Sequence, residues 1–156
     1  MKAASLNEVK RGLHDLEPEA VQALCMRLAK YKKENKELLT YLLFEANNET
    51  GFVEGVKEEV NELFLDLPSN TYYLKKTLRK ILRHVNKQIK YSGVKETELD
   101  LRIFFCLRMV EAKVPFKSSA VLYNLYQQQR KKISTALSKL PDDLQADYQR
   151  DIDLLT

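Results

Sequence analysis

The sequence predicts an all-α protein, and three of its features support that fold class. Glycine and proline are scarce, with four of each in 156 residues, and most of them fall between segments. Within those segments the apolar residues recur every three or four positions, which is the helical period. Helix-capping residues stand at several of the segment starts. We therefore expect seven to eight helices packed as antiparallel hairpins, in a single all-helical domain over residues 1–156.

The first two helices are predicted from their start signals. Ser5 to Glu8 reads Ser-Leu-Asn-Glu, which is a capping box because each of the two outer side chains can satisfy a backbone amide of the other residue. This helix ends near Leu16. Pro18 suits the first turn of a second helix, where its missing N–H costs no hydrogen bond.

The chain between the second and third helices allows two interpretations. Positions 21, 28, 35 and 42 keep a seven-residue spacing, so one long helix from Pro18 to Ala46 is possible. Asn35 would then lie on the face of that helix that this spacing defines. A break capped by Asn35 is favoured, because asparagine is a good N-cap and a poor interior helix residue.

Five more helices are predicted in the rest of the chain. The fourth is acidic and stops before Pro68, and the sixth is apolar on nearly all sides, so we expect it at the centre of the core. The fourth helix is expected at about 50–67, and the fifth at about Asn70–Ser92 with Gly93 as its C-cap. The sixth has Thr97 as its expected N-cap and Pro115 at its end. The seventh is expected from Ser118 or Ser119 to Leu140, and the eighth at about Pro141–Leu155.

The spacing of the predicted hairpins leaves two architectures open. They fall near residues 18–46, 50–92 and 97–140, which is close to the roughly 40 to 50 residues of a helix-pair repeat. No sequence self-similarity accompanies that spacing. A short HEAT-like superhelix and an irregular helical bundle therefore both fit.

Targeting and redox signals favour a cytoplasmic protein that does not act in a membrane. No stretch approaches the roughly 20 apolar residues that a bilayer-spanning helix needs. The first eight residues reach Glu8 before any apolar run, which argues against a secretory signal. Cys25 and Cys106 each lie in an apolar helical pattern, so we expect buried thiols and no disulfide.

Motifs of the common enzyme classes are missing from the sequence. The two histidines, His14 and His84, belong to no H-E-x-x-H pattern, and the four glycines form neither a P-loop nor a G-x-G-x-x-G loop. No residue pattern suggests a metal or cofactor site. We therefore expect no cofactor, no metal site and no enzymatic activity.

Charge alternates in blocks along the chain. Residues 69–92 hold seven Lys and Arg with no acidic residue, and residues 113–140 hold six with none. Residues 45–68 hold seven acidic residues against one Lys, and residues 141–156 hold five against one Arg. Because it is segregated in this way, charge is a more informative signal of function than the motifs.

One helix face concentrates the positive charge. At 100° per residue, five cations of helix five fall in one stripe opposite its apolar face, about 21 Å long. Helix seven adds three more consecutive cations. These candidate partner-binding residues are Lys76, Lys80, Arg83, Lys87 and Lys90, which we call the basic ladder, with Arg130, Lys131 and Lys132.

Three explanations of the basic ladder compete. The first is a solvated face, partly neutralised by the acidic helix before it. The second is an acidic protein partner, including a second copy that presents Glu54, Glu58, Glu62 or the segment 142–153. The third is the phosphate backbone of a nucleic acid.

Two stretches carry a resemblance to a known family. They run from Leu24 to Glu45 and from Arg79 through Arg83 to Lys90–Gly93. With them the chain resembles an uncharacterised family of small all-helical bacterial proteins, a domain of unknown function. The resemblance implies a bacterial, cytosolic, single-domain protein, and it carries over no site residue.

The sequence as a whole predicts a non-enzymatic helical interaction module. Its basic helix face would bind an acidic protein partner or a second copy of the chain. The alternative is a nucleic-acid-binding helical protein that uses the same face on phosphates.

Overall fold

A computed structural model of the chain describes residues 1–155, which form eight α-helices and no strand. Thr156, the last residue of the predicted single domain, lies outside the described residues. The helices are α1 Leu6–His14, α2 Pro18–Tyr31, α3 Lys33–Thr40, α4 Glu49–Leu65, α5 Thr71–Ser92, α6 Lys95–Glu111, α7 Ala120–Leu137 and α8 Asp142–Asp153. A π-helical segment, Tyr41–Glu45, follows α3, and a 3-10 turn, Phe116–Ser118, precedes α7. The all-α prediction is confirmed, and an irregular helical bundle fits it.

The chain divides into two compact units, Met1–Phe44 with α1 to α3, and the residues from Glu45 onward with α4 to α8. The single-domain assignment over residues 1–156 stays a prediction. No helix within residues 1–155 is long and apolar enough to cross a bilayer.

The start of α1 follows its capping signal. The Glu8 backbone N–H donates to the Ser5 hydroxyl at 3.3 Å, and the Ser5 backbone N–H donates to the Glu8 carboxylate at 2.8 Å. The Ser5 hydroxyl also donates to the Glu8 carboxylate at 2.7 Å. This bond and the one from the Ser5 backbone N–H favour the ionised carboxylate, so they lower the pKa of Glu8. The predicted capping box is confirmed.

The predicted break between the second and third helices is also confirmed, but its mechanism differs. Lys32 has an extended backbone, with φ −141° and ψ 148°, so its N–H no longer continues the helical ladder. Asn35 lies inside α3 and is not its N-cap. Its side-chain Nδ2 donates to the Leu28 carbonyl at 2.8 Å, which satisfies an acceptor near the end of α2.

The second unit is organised around α6. This helix packs against α4, α5 and α7, and its side chains Leu99, Phe105, Cys106 and Met109 are fully buried. Phe105 meets Phe64 of α4 edge to face, with ring centroids 5.9 Å apart. The prediction that helix six forms the centre of the core is confirmed.

The expected cap of helix six is wrong. Helix α6 begins at Lys95 with Val94 at the N-cap, and Thr97 lies in the first turn with 2% of its surface exposed. The Thr97 hydroxyl donates to the Glu49 carboxylate at the start of α4. The helix thus begins two residues before the predicted cap, and the Thr97 side chain bonds to a distant residue instead of a neighbouring backbone amide.

Candidate binding groove

Helices α5 and α7 both pack on α6. A groove lies along them. The groove consists of three adjoining hollows with volumes of about 720, 560 and 500 Å³. Gln128 of α7 lines the first and second hollows, while Arg102 and Lys132 line the second and third. Because they share these lining residues, the hollows lie side by side, and we call them together the α5–α7 groove.

Positive charge dominates the lining of the groove. Its one carboxylate is Glu98, which accepts a hydrogen bond from Arg102 Nε at 2.8 Å. The ten basic lining residues are Lys76, Arg79, Lys80, Arg83, Lys90, Lys95, Arg102, Lys131, Lys132 and Lys139. A surface of this composition attracts an anion and repels a cation.

Arg102 forms the floor of the groove and joins its two walls. Its side chain is 6% exposed. Its Nη1 donates to Asn86 Oδ1 of α5 at 3.0 Å and to Gln129 Oε1 of α7 at 2.8 Å. A buried guanidinium needs such partners to offset its lost hydration. The network therefore links α5 and α7 across α6.

Four of the five ladder residues line the groove. Lys76, Lys80 and Arg83 lie in the first hollow and Lys90 in the third, and all four side chains are exposed. Lys87 is half-buried and lines none of the three hollows.

Three cations of the ladder are not neutralised by the acidic helix α4. Within residues 1–155, Lys80, Arg83 and Lys90 make no ion pair. The Lys76 ammonium lies 4.5 Å from the centroid of the Tyr72 ring. Glu59 of α4 instead approaches His84 Nε2 at 2.8 Å.

The three consecutive cations of helix seven divide between two surfaces. Lys131 and Lys132 line the groove. Arg130 lines a separate cavity of about 830 Å³ together with Phe116 and Tyr123. Successive residues are turned by about 100° around a helix, so three in a row cannot all share one face.

Several groove residues were not predicted as candidates. Arg79, Lys95, Arg102 and Lys139 join the lining because the tertiary fold brings their helices together. Only Arg102 had a signal in the sequence, since it stands four residues after Glu98, which is the spacing of a helical ion pair.

The acidic helices lie on the other side of α6. Asp100 points away from Arg102, because two residues along a helix turn the side chain by about 200°. Asp100 faces Lys57 of α4 and Tyr148 and Asp151 of α8. Burial raises the pKa of Asp100, while Lys57 opposes the rise, and burial with the nearby Asp100 charge raises the pKa of Tyr148 to about 12.

Other chemistry is sparse in the described part of the chain. No group of three or more His, Cys, Asp or Glu side chains within residues 1–155 could hold a metal ion. Cys106 is free and fully buried, and this burial raises the pKa of its thiol to about 12, which keeps it protonated and unreactive at neutral pH.

The α5–α7 groove is thus lined mainly by cations, and the acidic helices α4 and α8 lie on the opposite side of α6. Comparison with known proteins matches this chain to no family model, no curated protein and no solved structure.

Proposed function

We propose that this protein is a non-enzymatic binding module whose α5–α7 groove takes an acidic amphipathic helix of a partner protein. The observation that carries the proposal is the groove lining, which has ten cations and a single carboxylate already paired with Arg102. Complementary charge raises the association rate and selects an acidic partner over a basic one.

The apolar part of the lining favours a helix over a bare polyanion. Leu82 and Leu125 line the first hollow from its two walls, and Ala136 and Ile89 line the other two hollows. A partner helix can rest leucine or phenylalanine side chains on these residues while its flanking carboxylates meet the lysines at the rims. A phosphate backbone has no apolar group that would use this floor.

The separation of charge across α6 supports the same proposal. The acidic helices α4 and α8 meet around Asp100, on the face of α6 opposite to Arg102. An acidic partner in the groove therefore avoids the repulsion that a mixed surface would create.

The proposal includes a cytoplasmic location. Cys25 and Cys106 are both free thiols, and reduced cysteines are the rule in the cytosol. The resemblance to small all-helical bacterial proteins stays a prediction.

Fluorescence anisotropy with two labelled probes tests the proposal. The first probe is a synthetic helix of about 20 residues with leucine on one face and glutamate on both flanks, and the second is duplex DNA of about 20 base pairs. Each is titrated with the full chain at about 50 and 200 mM salt. A DNA contact made by six to ten cations loses about 10³- to 10⁵-fold in affinity over this range.

Two charge-reversal variants make the test specific to the groove. Arg83→Glu with Lys132→Glu changes one cation in the first hollow and one shared by the other two. Lys117→Glu with Arg150→Glu makes the same change in net charge on exposed residues outside the groove.

We expect the peptide to remain bound at the higher salt, to lose at least about tenfold in affinity in the groove variant, and to bind the control variant normally. Binding of DNA alone with a steep salt dependence would replace the proposal with nucleic-acid recognition. Equal loss in both variants, or no binding of either probe, would also contradict it.

A further inference from the structure

A second cavity lies between the end of α6, the 3-10 turn Phe116–Ser118 and α7. Val110 lines it from α6, Pro115 from the loop before the turn, and Tyr123 and Tyr126 from α7. Its volume is about 830 Å³, which is within the roughly 300 to 1,000 Å³ of cavities that hold small molecules. It shares no lining residue with the α5–α7 groove. We call it the aromatic cavity.

Three aromatic rings and three aliphatic side chains form most of the wall of this cavity. The rings of Phe116 and Tyr126 pack on each other, with centroids 4.7 Å apart and planes inclined by 32°. Tyr126 is 3% exposed and Tyr123 is 49% exposed, so the rings extend from the protein interior to the surface. The aliphatic side chains are those of Val110, Val114 and Pro115. Such a wall suits a flat aromatic group, which gains both burial and ring contacts.

The charged side chains of the aromatic cavity are all basic. They are Lys113, Lys117 and Arg130, and no acidic residue lines the cavity. Within residues 1–155, none of the three makes an ion pair. Three unpaired cations beside an apolar wall favour a ligand that is negatively charged.

Tyr126 adds an unused hydrogen-bond donor. Its hydroxyl is buried and has no hydrogen-bond partner within residues 1–155, whereas most buried polar atoms have one. Burial raises the pKa of this hydroxyl, and the charge of Arg130 opposes the rise. The hydroxyl therefore stays protonated at neutral pH. An anionic group bound beside Arg130 would offer the acceptor that it lacks.

Lys113 occupies a backbone position that favours glycine. Its φ of 51° is the only positive φ of a non-glycine residue within residues 1–155. Its N–H donates to the Val110 carbonyl at 2.9 Å, and the Val114 N–H donates to the Met109 carbonyl at 3.1 Å. This is the Schellman arrangement, which usually has glycine at the position of Lys113. Lysine strains the helix end but brings an ammonium group to the cavity.

We propose that the aromatic cavity binds a small organic anion with a flat aromatic body. The ring packs on the aromatic wall, and the anionic group meets Lys113, Lys117 and Arg130. A carboxylate and a phosphate share this chemistry, because lysine and arginine bind both. The site lies outside the α5–α7 groove and does not depend on the proposed function.

An NMR chemical-shift titration of the isotope-labelled full chain with four probes tests the proposal. The compounds 2-naphthoate and 2-naphthyl phosphate carry the same ring with a carboxylate or a phosphate. The third probe, 2-naphthamide, has the ring without the charge, and inorganic phosphate has the charge without the ring. We expect at least one naphthalene anion to bind with a Kd below about 1 mM and to shift backbone amides in residues 110–130. The other two probes should bind at least about tenfold more weakly.

Two substitutions in the cavity make the test specific. Arg130→Gln should weaken binding of the naphthalene anion at least about tenfold, and Lys113→Gly at least about threefold. The melting temperature of Lys113→Gly should stay within about 3 °C of the wild type, because relief of the strained backbone offsets the greater freedom of glycine in the unfolded chain. Lys10→Ala, at an exposed lysine of α1, is the control for the loss of one charge and should bind normally. The groove variant Arg83→Glu/Lys132→Glu should also bind the anion normally.

No binding of either naphthalene anion below about 1 mM would overturn the proposal, and so would equally tight binding of 2-naphthamide. Equal losses in Lys10→Ala and Arg130→Gln would show that only net charge matters, which would also overturn it. Weaker anion binding in the groove variant would place the anion in the α5–α7 groove instead. The same variant separates the two proposals, because it should lose the acidic helix and keep the aromatic anion.

Discussion

Residues 1–44 and residues 45–155 are built from the same kind of helix and differ in what those helices bury. In residues 45–155, twenty-three hydrophobic side chains are buried and seven large ones are exposed. In residues 1–44, one is buried and thirteen large ones are exposed. The first unit therefore shows that local signals such as the Ser5 capping box can form helices whose apolar side chains stay exposed.

The largest expected effect comes from deleting a core side chain in the second unit. Phe105→Ala removes a fully buried ring that packs on Phe64, so it should lower the free energy of unfolding by about 3 to 5 kcal/mol. Leu28→Ala in dilute protein should change it by less than about 0.5 kcal/mol, since Leu28 is 60% exposed. Urea unfolding followed by circular dichroism measures both.

If Leu28→Ala cost more than about 2 kcal/mol in dilute protein, the comparison between the units would fail, because Leu28 would then have to be buried within one chain. An effect of Phe105→Ala below about 1 kcal/mol would mean that α6 is not the centre of the core.

A smaller effect is expected from the floor of the groove. Arg102→Met keeps the length of the side chain but removes its hydrogen bonds to Asn86 and Gln129. The Gln129 amide oxygen then remains buried without that donor, so the free energy of unfolding should fall by about 2 kcal/mol. Thermal unfolding measures the loss, and Arg150→Met on the exposed face of α8 is the matched control.

Replacing Gln129 by leucine in the Arg102→Met background should recover part of the loss, because both partners of the hydrogen bond are then apolar. Loss of the same size in the Arg150 control would show that the effect comes from net charge and not from the network.

The next effect is local to the first unit. Asn35→Ala removes the side-chain hydrogen bond to the Leu28 carbonyl, which should cost about 1 kcal/mol. Amide hydrogen exchange in the segment from Leu28 to Thr40 should accelerate by roughly fivefold, with no change in α6. Asn61→Ala on the exposed side of α4 is the control, and equal acceleration there would contradict a specific cap at Asn35.

The smallest expected effect is a pH dependence in the second unit. Because burial raises the pKa of Asp100 in the folded chain, the folded state holds its proton more tightly than the unfolded state does. This residue therefore favours folding at a pH below its unfolded pKa of about 3.9, and the benefit is lost as pH rises through its raised folded pKa.

Asp100→Asn removes this titration. We expect the variant to gain thermal stability relative to the wild type as pH rises from about 4 to 7, with Asp143→Asn as an exposed control. A stability difference that does not change with pH would contradict the role assigned to Asp100.

Much of the secondary structure could be predicted from the sequence because its causes are local. The Ser5 capping box, Pro18 at the start of α2 and Gly93 at the end of α5 act through neighbouring backbone groups. Thr97 misled this reasoning because its hydroxyl bonds to Glu49, forty-eight residues away. A single sequence does not show which distant residue a threonine hydroxyl will bond.

The candidate site was predicted only in part for a similar reason. The periodicity of α5 placed Lys76, Lys80, Arg83 and Lys90 on one face, and all four line the groove. The opposite wall depends on how α7 lies across α6, which periodicity does not encode. Lys139 and Arg102 line the groove because of that packing. Arg130 lies outside it because three consecutive residues cannot share one helix face.

Fold class, most helix ends and the segregation of charge along the chain could be predicted without a structure, because each depends on residues within a few turns of one another. The structure was needed to show that the two basic helices border one groove, that Arg102 joins them, and that the acidic helices meet on the other side of α6. The physical reason is that packing depends on the shape and burial of surfaces far apart in the chain.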